Sequence, residues 1–80
     1  MKTFTTLSLR ECEVLYLISL NLTNSEIADQ LCISANTVSN HRENIIKKTG
    51  IKGRNAILFY AISNKDKLEY LFEKEDNNKN

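Results

Sequence analysis

Signals for the start of a helix stand close together in the first half of the chain, and they constrain its fold more than any other feature. Residues 8–11 and 23–26 are capping boxes, in which a hydroxyl and a carboxylate three residues later satisfy the free amides of a helix end. Ser34 is a third N-cap candidate. It follows the second helix almost at once, so the sequence predicts a short helix, a tight turn and a further helix.

The spacing of apolar residues predicts the extent of the helices that begin at these signals. It predicts helix 1 over 9–20, helix 2 over 24–31, helix 3 over 35–49 and helix 4 over 54–63. Asn21 and Gly50 stand where left-handed residues that end helices are needed. The chain has 80 residues, no Pro and two Gly, which favours one all-α domain, here over residues 1–63.

The last part of the chain has a weaker pattern. Leu68, Leu71 and Phe72 have the spacing of one helix face. Residues 64–75 could therefore extend helix 4 or form a fifth helix that folds back. We expect a disordered tail over residues 76–80, which are almost entirely polar.

The positive charge of the chain is concentrated in one segment. The formal net charge is only +1. Residues 34–54, however, contain one acid, Glu43, against five basic side chains, Arg42, Lys47, Lys48, Lys52 and Arg54. Local clustering matters more than total charge for binding a polyanion, so this segment is the candidate contact surface.

Helix 3 lies inside that segment and is polar on most of its circumference. On a helical wheel, Val38 and Ile45 form a narrow apolar seam, flanked by His41 and Arg42. The opposite side carries five polar residues, Asn36, Asn40, Glu43, Asn44 and Lys47. Such a helix would pack on its domain through the seam and present its other face, which a DNA major groove can admit.

Four ordered motifs resemble the LuxR/GerE-type DNA-binding domain. They are LSLRECEVL at 7–15, EIAxxL at 26–31, ISxxTVxxH at 33–41, and the KK and GIKGR of 47–54. The resemblance covers about residues 6–62. A chain that begins just before these motifs is similar to a stand-alone GerE-like regulator, without the receiver or ligand-binding domain that usually precedes them.

This resemblance implies an all-α, tetrahelical helix-turn-helix fold with helix 3 as the recognition helix. It implies contacts to the DNA backbone from Thr37, His41, Lys47 and Lys48, and to base edges from Ser39, Asn40 and Glu43. It also implies dimerisation through helix 4, which is apolar nearly all round. We expect the dimer interface to include Ala56, Phe59 and Tyr60.

Several positions depart from the family pattern. Ser39 stands where Lys or Arg is common, Glu43 where a basic or polar residue is common, and Arg42 where an apolar residue is usual. Arg42 could reach a phosphate or pair with an acid such as Glu26. These changes leave the scaffold intact and bear on the DNA sequence that is recognised.

The polar residues have structural alternatives. The three Asn of helix 3 could bind adenine or simply form a solvated face. Glu43 could accept from cytosine, repel phosphates, or pair with Lys47 one turn later. Glu11 and Arg54 could pair to hold helix 1 to helix 4.

The sequence predicts a dimeric, sequence-specific DNA-binding transcriptional regulator. The alternative is a protein-interaction module on the same scaffold that modulates another regulator without reading bases. An enzyme is not expected, because no nucleophile–base pair, carboxylate pair or Gly-rich loop is recognisable.

The expected partners are double-stranded DNA and a second copy of the chain, and RNA polymerase or another regulator could also bind. No cofactor, metal or small-molecule substrate is expected, since Cys12, Cys32 and the single His match no zinc pattern. The apolar runs are too short to span a membrane, and no secretion signal is evident. We therefore expect a bacterial cytoplasmic, nucleoid-associated protein.

Overall fold

Helices make up most of the described structure. The computed structural model describes the backbone of residues 6–78 and the side chains of residues 6–72. The helices are α1 (Leu9–Ser19), α2 (Asn24–Leu31), α3 (Ala35–Thr49), α4 (Ala56–Ser63) and α5 (Lys65–Asn78). No strand occurs in this part of the chain, which confirms the all-α helix-turn-helix prediction.

Both capping boxes form as predicted. The Glu11 amide donates to Ser8 Oγ at 3.1 Å, and the Ser8 amide donates to Glu11 Oε1 at 2.9 Å. The Thr23–Glu26 pair makes the same two bonds at 3.2 and 2.8 Å. Because each box satisfies amides that a helix end leaves free, these short segments alone set where α1 and α2 begin.

A left-handed residue follows each of the first three helices, α1, α2 and α3. Asn21 and Gly50 have φ values of 65° and 73°, as their positions predicted. Helix α1 ends at Ser19 rather than Leu20, because the Leu20 amide turns to the carbonyl three residues back, Leu17 O, at 3.1 Å. In the turn between α2 and α3, Cys32 is also left-handed, with φ 59°.

Helix α4 begins later than predicted. We expected it from residue 54, but its first residue is Ala56. Gly53 and Asn55 have φ values of 107° and 63°, and a right-handed helix needs negative φ. The left-handed residues allow the chain to reverse after α3 and bring α4 onto α1.

Helix α1 is the centre of the hydrophobic core and packs against each of the other four helices. Val14 and Leu15 of α1 are fully buried. The other helices add the buried apolar side chains Ile27, Ala28, Val38, Ile45, Ile57, Ala61 and Leu68. Each helix therefore contributes one apolar stripe to a single core, as amphipathic helices do in small domains.

The segment after α4 folds back as a fifth helix. Asn64 ends α4, and its carbonyl accepts from the Leu68 amide at 3.0 Å, so it belongs to the start of α5 as well. Leu68 is fully buried, and the Phe72 ring meets the Tyr16 ring of α1 edge to face, with 5.6 Å between centroids. The Tyr16 hydroxyl lies 3.4 Å from Glu69 Oε2.

The backbone of α5 continues to Asn78, whereas we predicted disorder from residue 76. Extending a helix that is already formed adds one hydrogen bond per residue at little further cost. Residues 79–80, the remainder of the predicted tail, lie outside the described residues.

None of the described helices combines the length and the apolar character that crossing a membrane would require.

Candidate nucleic-acid interface

Helix α3 is anchored by its seam and exposed on its opposite face. Val38 and Ile45 are fully buried against the rest of the domain, as the wheel predicted. The five polar residues predicted for the outer face, Asn36, Asn40, Glu43, Asn44 and Lys47, are all exposed. At 1.5 Å rise per residue this polar face is about 16 Å long.

One edge of this polar face contacts α2. Ser39 is half-buried there, and its Oγ accepts a hydrogen bond from Asn24 Nδ2 at 3.2 Å. Asn24 is the first residue of α2. The bond joins the two helices of the helix-turn-helix beside the exposed polar face of α3.

The other edge is joined to α1. Lys48 Nζ donates to Glu11 Oε1 at 2.8 Å, and Glu11 is only 4% exposed. The predicted pairing of Glu11 with Arg54 is therefore wrong. Arg54 follows the left-handed Gly53 and is exposed, whereas Lys48 extends from the last turn of α3 towards the start of α1.

Burial alone would raise the pKa of the Glu11 carboxyl. The hydrogen bonds from Lys48 and the Ser8 amide, with the electrostatic influence of Lys48 and His41, outweigh this effect and hold the pKa below its ordinary value of 4.5. Glu11 is thus a buried carboxylate at neutral pH, and its cation lies on α3.

Arg42 lies half-buried beside the seam. Burial lowers the pKa of its guanidinium, and no hydrogen bond or ion pair to it occurs among the described side chains. The suggested pairing with Glu26 does not form, because the Glu26 carboxylate accepts from the Thr23 amide of its own capping box.

The start of α3 is capped by Ser34. The Thr37 amide donates to Ser34 Oγ at 3.0 Å, and the two hydroxyls are 2.9 Å apart. Thr37 therefore lies at the exposed N-terminal end of the helix, where amide groups can approach a phosphate.

Three other cations near Lys48 are exposed and make no ion pair with a described side chain. Lys47, Lys52 and Arg54 are exposed and belong to neither ion pair formed between described side chains, which are Arg10–Glu13 and Lys48–Glu11. The positive field of residues 34–54 thus lies around the C-terminal end of α3 and the loop that follows it.

A second surface lies on α4, away from the core. Phe59 is 64% exposed and Ile62 is half-exposed. Phe59, Ala56 and the half-buried Tyr60 line one shallow groove together with residues of the α3–α4 loop. The three residues predicted for a dimer interface are therefore adjacent in one groove, which Lys52 and Arg54 also line.

Comparison with known proteins gives this geometry its context. The pattern of the family described as "Bacterial regulatory proteins, luxR family" matches residues 5–61. The chain belongs to the luxR family. It is a helix-turn-helix DNA-binding domain of the kind that this family uses in transcription regulation.

The chain is also similar to curated regulatory proteins. The oxygen regulatory protein NreC of Staphylococcus aureus, in strains JH9 and USA300, is 40% identical over 62 residues, or 78% of this chain. The match covers 29% of each relative, so the chain spans less than a third of their length. No solved structure matches the chain significantly.

The DNA-contact residues predicted from the luxR resemblance lie in two kinds of position on α3. Asn40, Glu43 and Lys47 lie on the open face of α3, and His41 is half-buried beside it. Ser39 and Lys48 instead occupy its two edges, each bonded to another helix. Sequence reasoning did not find Asn24, or the Glu11–Lys48 bond, because both depend on how the helices pack and leave no local pattern.

Proposed function

We propose that this chain binds double-stranded DNA at specific sequences as a dimer and regulates transcription, with α3 in the major groove. The main support for this proposal is the orientation of α3. Its apolar seam is fully buried, and its five outward residues form one exposed polar face. A polar helix face with unpaired cations at one end suits a groove lined by phosphates.

Base reading is assigned to Asn40 and Glu43, with Ser39 at the border of the same face. The Asn40 amide can bond both edge groups of adenine, and the Glu43 carboxylate can accept from cytosine N4. Both side chains are exposed on the face opposite the seam, which supports this assignment.

Backbone contacts are assigned to Thr37, His41, Lys47 and Lys48. Lys47 is exposed and makes no ion pair among the described side chains. The Lys48 side chain is 42% exposed although it pairs with Glu11, and an ammonium group has three donors. It can therefore hold Glu11 and a phosphate at the same time.

Dimerisation is assigned to α4, through Ala56, Phe59 and Tyr60. A large exposed aromatic beside a half-buried one is typical of the apolar centre of an interface. Half-sites would then lie about one helical turn of DNA apart. The protein would act in the bacterial cytoplasm at the nucleoid, with RNA polymerase or another regulator as a further partner.

Binding to genomic DNA fragments at several salt concentrations tests this proposal. We expect the protein to select particular fragments and its affinity to fall steeply with salt. The logarithm of the binding constant should fall against the logarithm of the salt concentration with a slope of about −0.9 per phosphate contacted. Lys47→Ala should weaken binding to all fragments alike and reduce the magnitude of the salt slope by about 1. Asn40→Ala should instead reduce the discrimination between bases at one base pair by about 1–3 kcal/mol.

Lys67→Ala is the matched control, since Lys67 is an exposed lysine on α5. It should leave affinity and slope unchanged. Absence of fragment selection, with no effect of Lys47→Ala, would instead favour the protein-interaction module.

Phe59→Arg tests the dimer surface. On a DNA with two half-sites, we expect sedimentation to show two copies of the wild type per DNA and one copy of the variant at the same concentration. The reason is that dimerisation would bury the charge of the arginine in the interface. Tyr70→Arg on α5 is the control, since Tyr70 is 66% exposed and Phe59 is 64% exposed. Paired binding by Phe59→Arg at wild-type affinity would contradict the assignment to α4.

A further inference from the structure

The bond between Asn24 and Ser39 has a direction. Asn24 Nδ2 is the donor and Ser39 Oγ the acceptor, at 3.2 Å, across the contact between α2 and α3. A serine hydroxyl has one proton to donate and two lone pairs to accept with. The amide of Asn24 therefore uses a lone pair of Ser39 and leaves its proton for another partner.

That proton is not used within the described residues. Thr49, a hydroxyl residue in the same helix, donates back to the carbonyl of Ile45 at 2.8 Å, whereas Ser39 makes no such bond among the described groups. Ser39 is half-buried, and its helical neighbours Asn36 and Glu43 are exposed on the face proposed to meet DNA. The hydroxyl proton can therefore point to that side.

We propose that Asn24 is a positioning residue for base recognition, which holds Ser39 as a hydrogen-bond donor towards the major groove. This assignment rests on the proposed function. The base facing Ser39 must then present an acceptor, namely a purine N7, guanine O6 or thymine O4. Cytosine presents the N4 amine there and is disfavoured.

Asn24→Asp reverses this polarity with almost no change of shape. A carboxylate only accepts, so the Ser39 proton turns to Asp and the lone pairs of Oγ face the groove. Selection from a randomised DNA pool should show the wild type discriminating against cytosine at one position. The variant should favour cytosine there, with a change of about five-fold, as expected for one neutral hydrogen bond.

Ser25→Asp is the matched control, because it adds the same charge one residue later in the first turn of α2. A negative charge at a helix N-terminus is favourable, so both variants should fold. The control should lower affinity for all sequences alike and leave base preference unchanged. Ser39→Ala should abolish the preference at the same position, and Asn24→Asp added to it should shift nothing further.

The outcomes separate the two proposals. A wild type that selects sequences, with Ser39→Ala or Asn24→Asp keeping its preference at every position, overturns the role of Asn24 alone. A Ser39→Ala loss that is uniform across sequences also overturns it, since Ser39 would then contact a phosphate. A wild type that selects no sequence overturns the proposed function and this assignment with it.

Discussion

Replacing Leu68 by Ala is expected to lower the free energy of unfolding by about 3 kcal/mol. Leu68 lies on α5 with its side chain 0% exposed, and the helix packs against α1. Removing a buried leucine loses the transfer free energy of its methyl groups and leaves a cavity that the neighbours fill only in part. Urea unfolding followed by circular dichroism measures the change as a lower midpoint at an unchanged slope.

The control for this experiment is Tyr70→Ala on the same helix. Tyr70 is 66% exposed, and a surface substitution of this kind usually changes stability by about 0.5 kcal/mol or less. Alanine favours helix in both variants, so the comparison isolates core packing. Equal stability of Leu68→Ala and the wild type would show that α5 is not packed on α1.

The result matters because α5 lies beyond the residues that match the family pattern, which end at 61. A large effect at Leu68 would mean that the domain extends to a fifth helix. Together with the contact between Tyr16 and Phe72, α5 would then cover a side of α1 that α2, α3 and α4 leave open.

Replacing Lys48 by Met is expected to lower the free energy of unfolding by about 2 kcal/mol at pH 7. The change leaves the buried Glu11 carboxylate without its cation, and an uncompensated buried charge costs about 3–5 kcal/mol. Lys48 is 42% exposed, so water already screens the pair and we place the loss below that range. The methionine keeps most of the length and apolar surface of the lysine stem.

The loss should depend on pH with a definite sign. The pKa of Glu11 is lowered in the folded protein, so its stabilising effect is present above its ordinary pKa of 4.5 and disappears as the pH falls through the folded value. The difference between wild type and Lys48→Met should therefore be largest near neutral pH and shrink in acid. Urea midpoints measured between pH 7 and pH 3 follow this change.

Lys47→Met is the matched control for the ion pair. Lys47 is the neighbouring residue, is exposed and has no ion pair among the described side chains, so its stability should stay near that of the wild type at every pH. If both variants lose equal stability, the loss is due to methionine at the helix end and not to Glu11.

Local signals account for what was predictable. The capping boxes at 8–11 and 23–26 form with their expected bonds, and Asn21 and Gly50 adopt the left-handed conformations that their positions required. The wheel of α3 separated buried Val38 and Ile45 from the outward polar residues. Each of these features depends on residues within one or two helical turns, so the local sequence is sufficient to predict it.

Features that join distant parts of the chain were not predictable in this way. The partner of Glu11 was expected to be Arg54 and is Lys48, because α3 packs on α1 with Lys48 in its last turn, whereas Arg54 is exposed in the segment before α4. Whether residues 64–75 extend α4 or fold back depended on the turn at Asn64 and on the space beside α1.

The sequence by itself therefore determined where the first three helices begin and which face of α3 points outwards, since caps and periodicity act locally. Only the tertiary structure decided that Lys48 holds the end of α3 on Glu11 and that Asn24 donates to Ser39. Those bonds join residues 37 and 15 positions apart, and they exist because the buried seams bring the helices together.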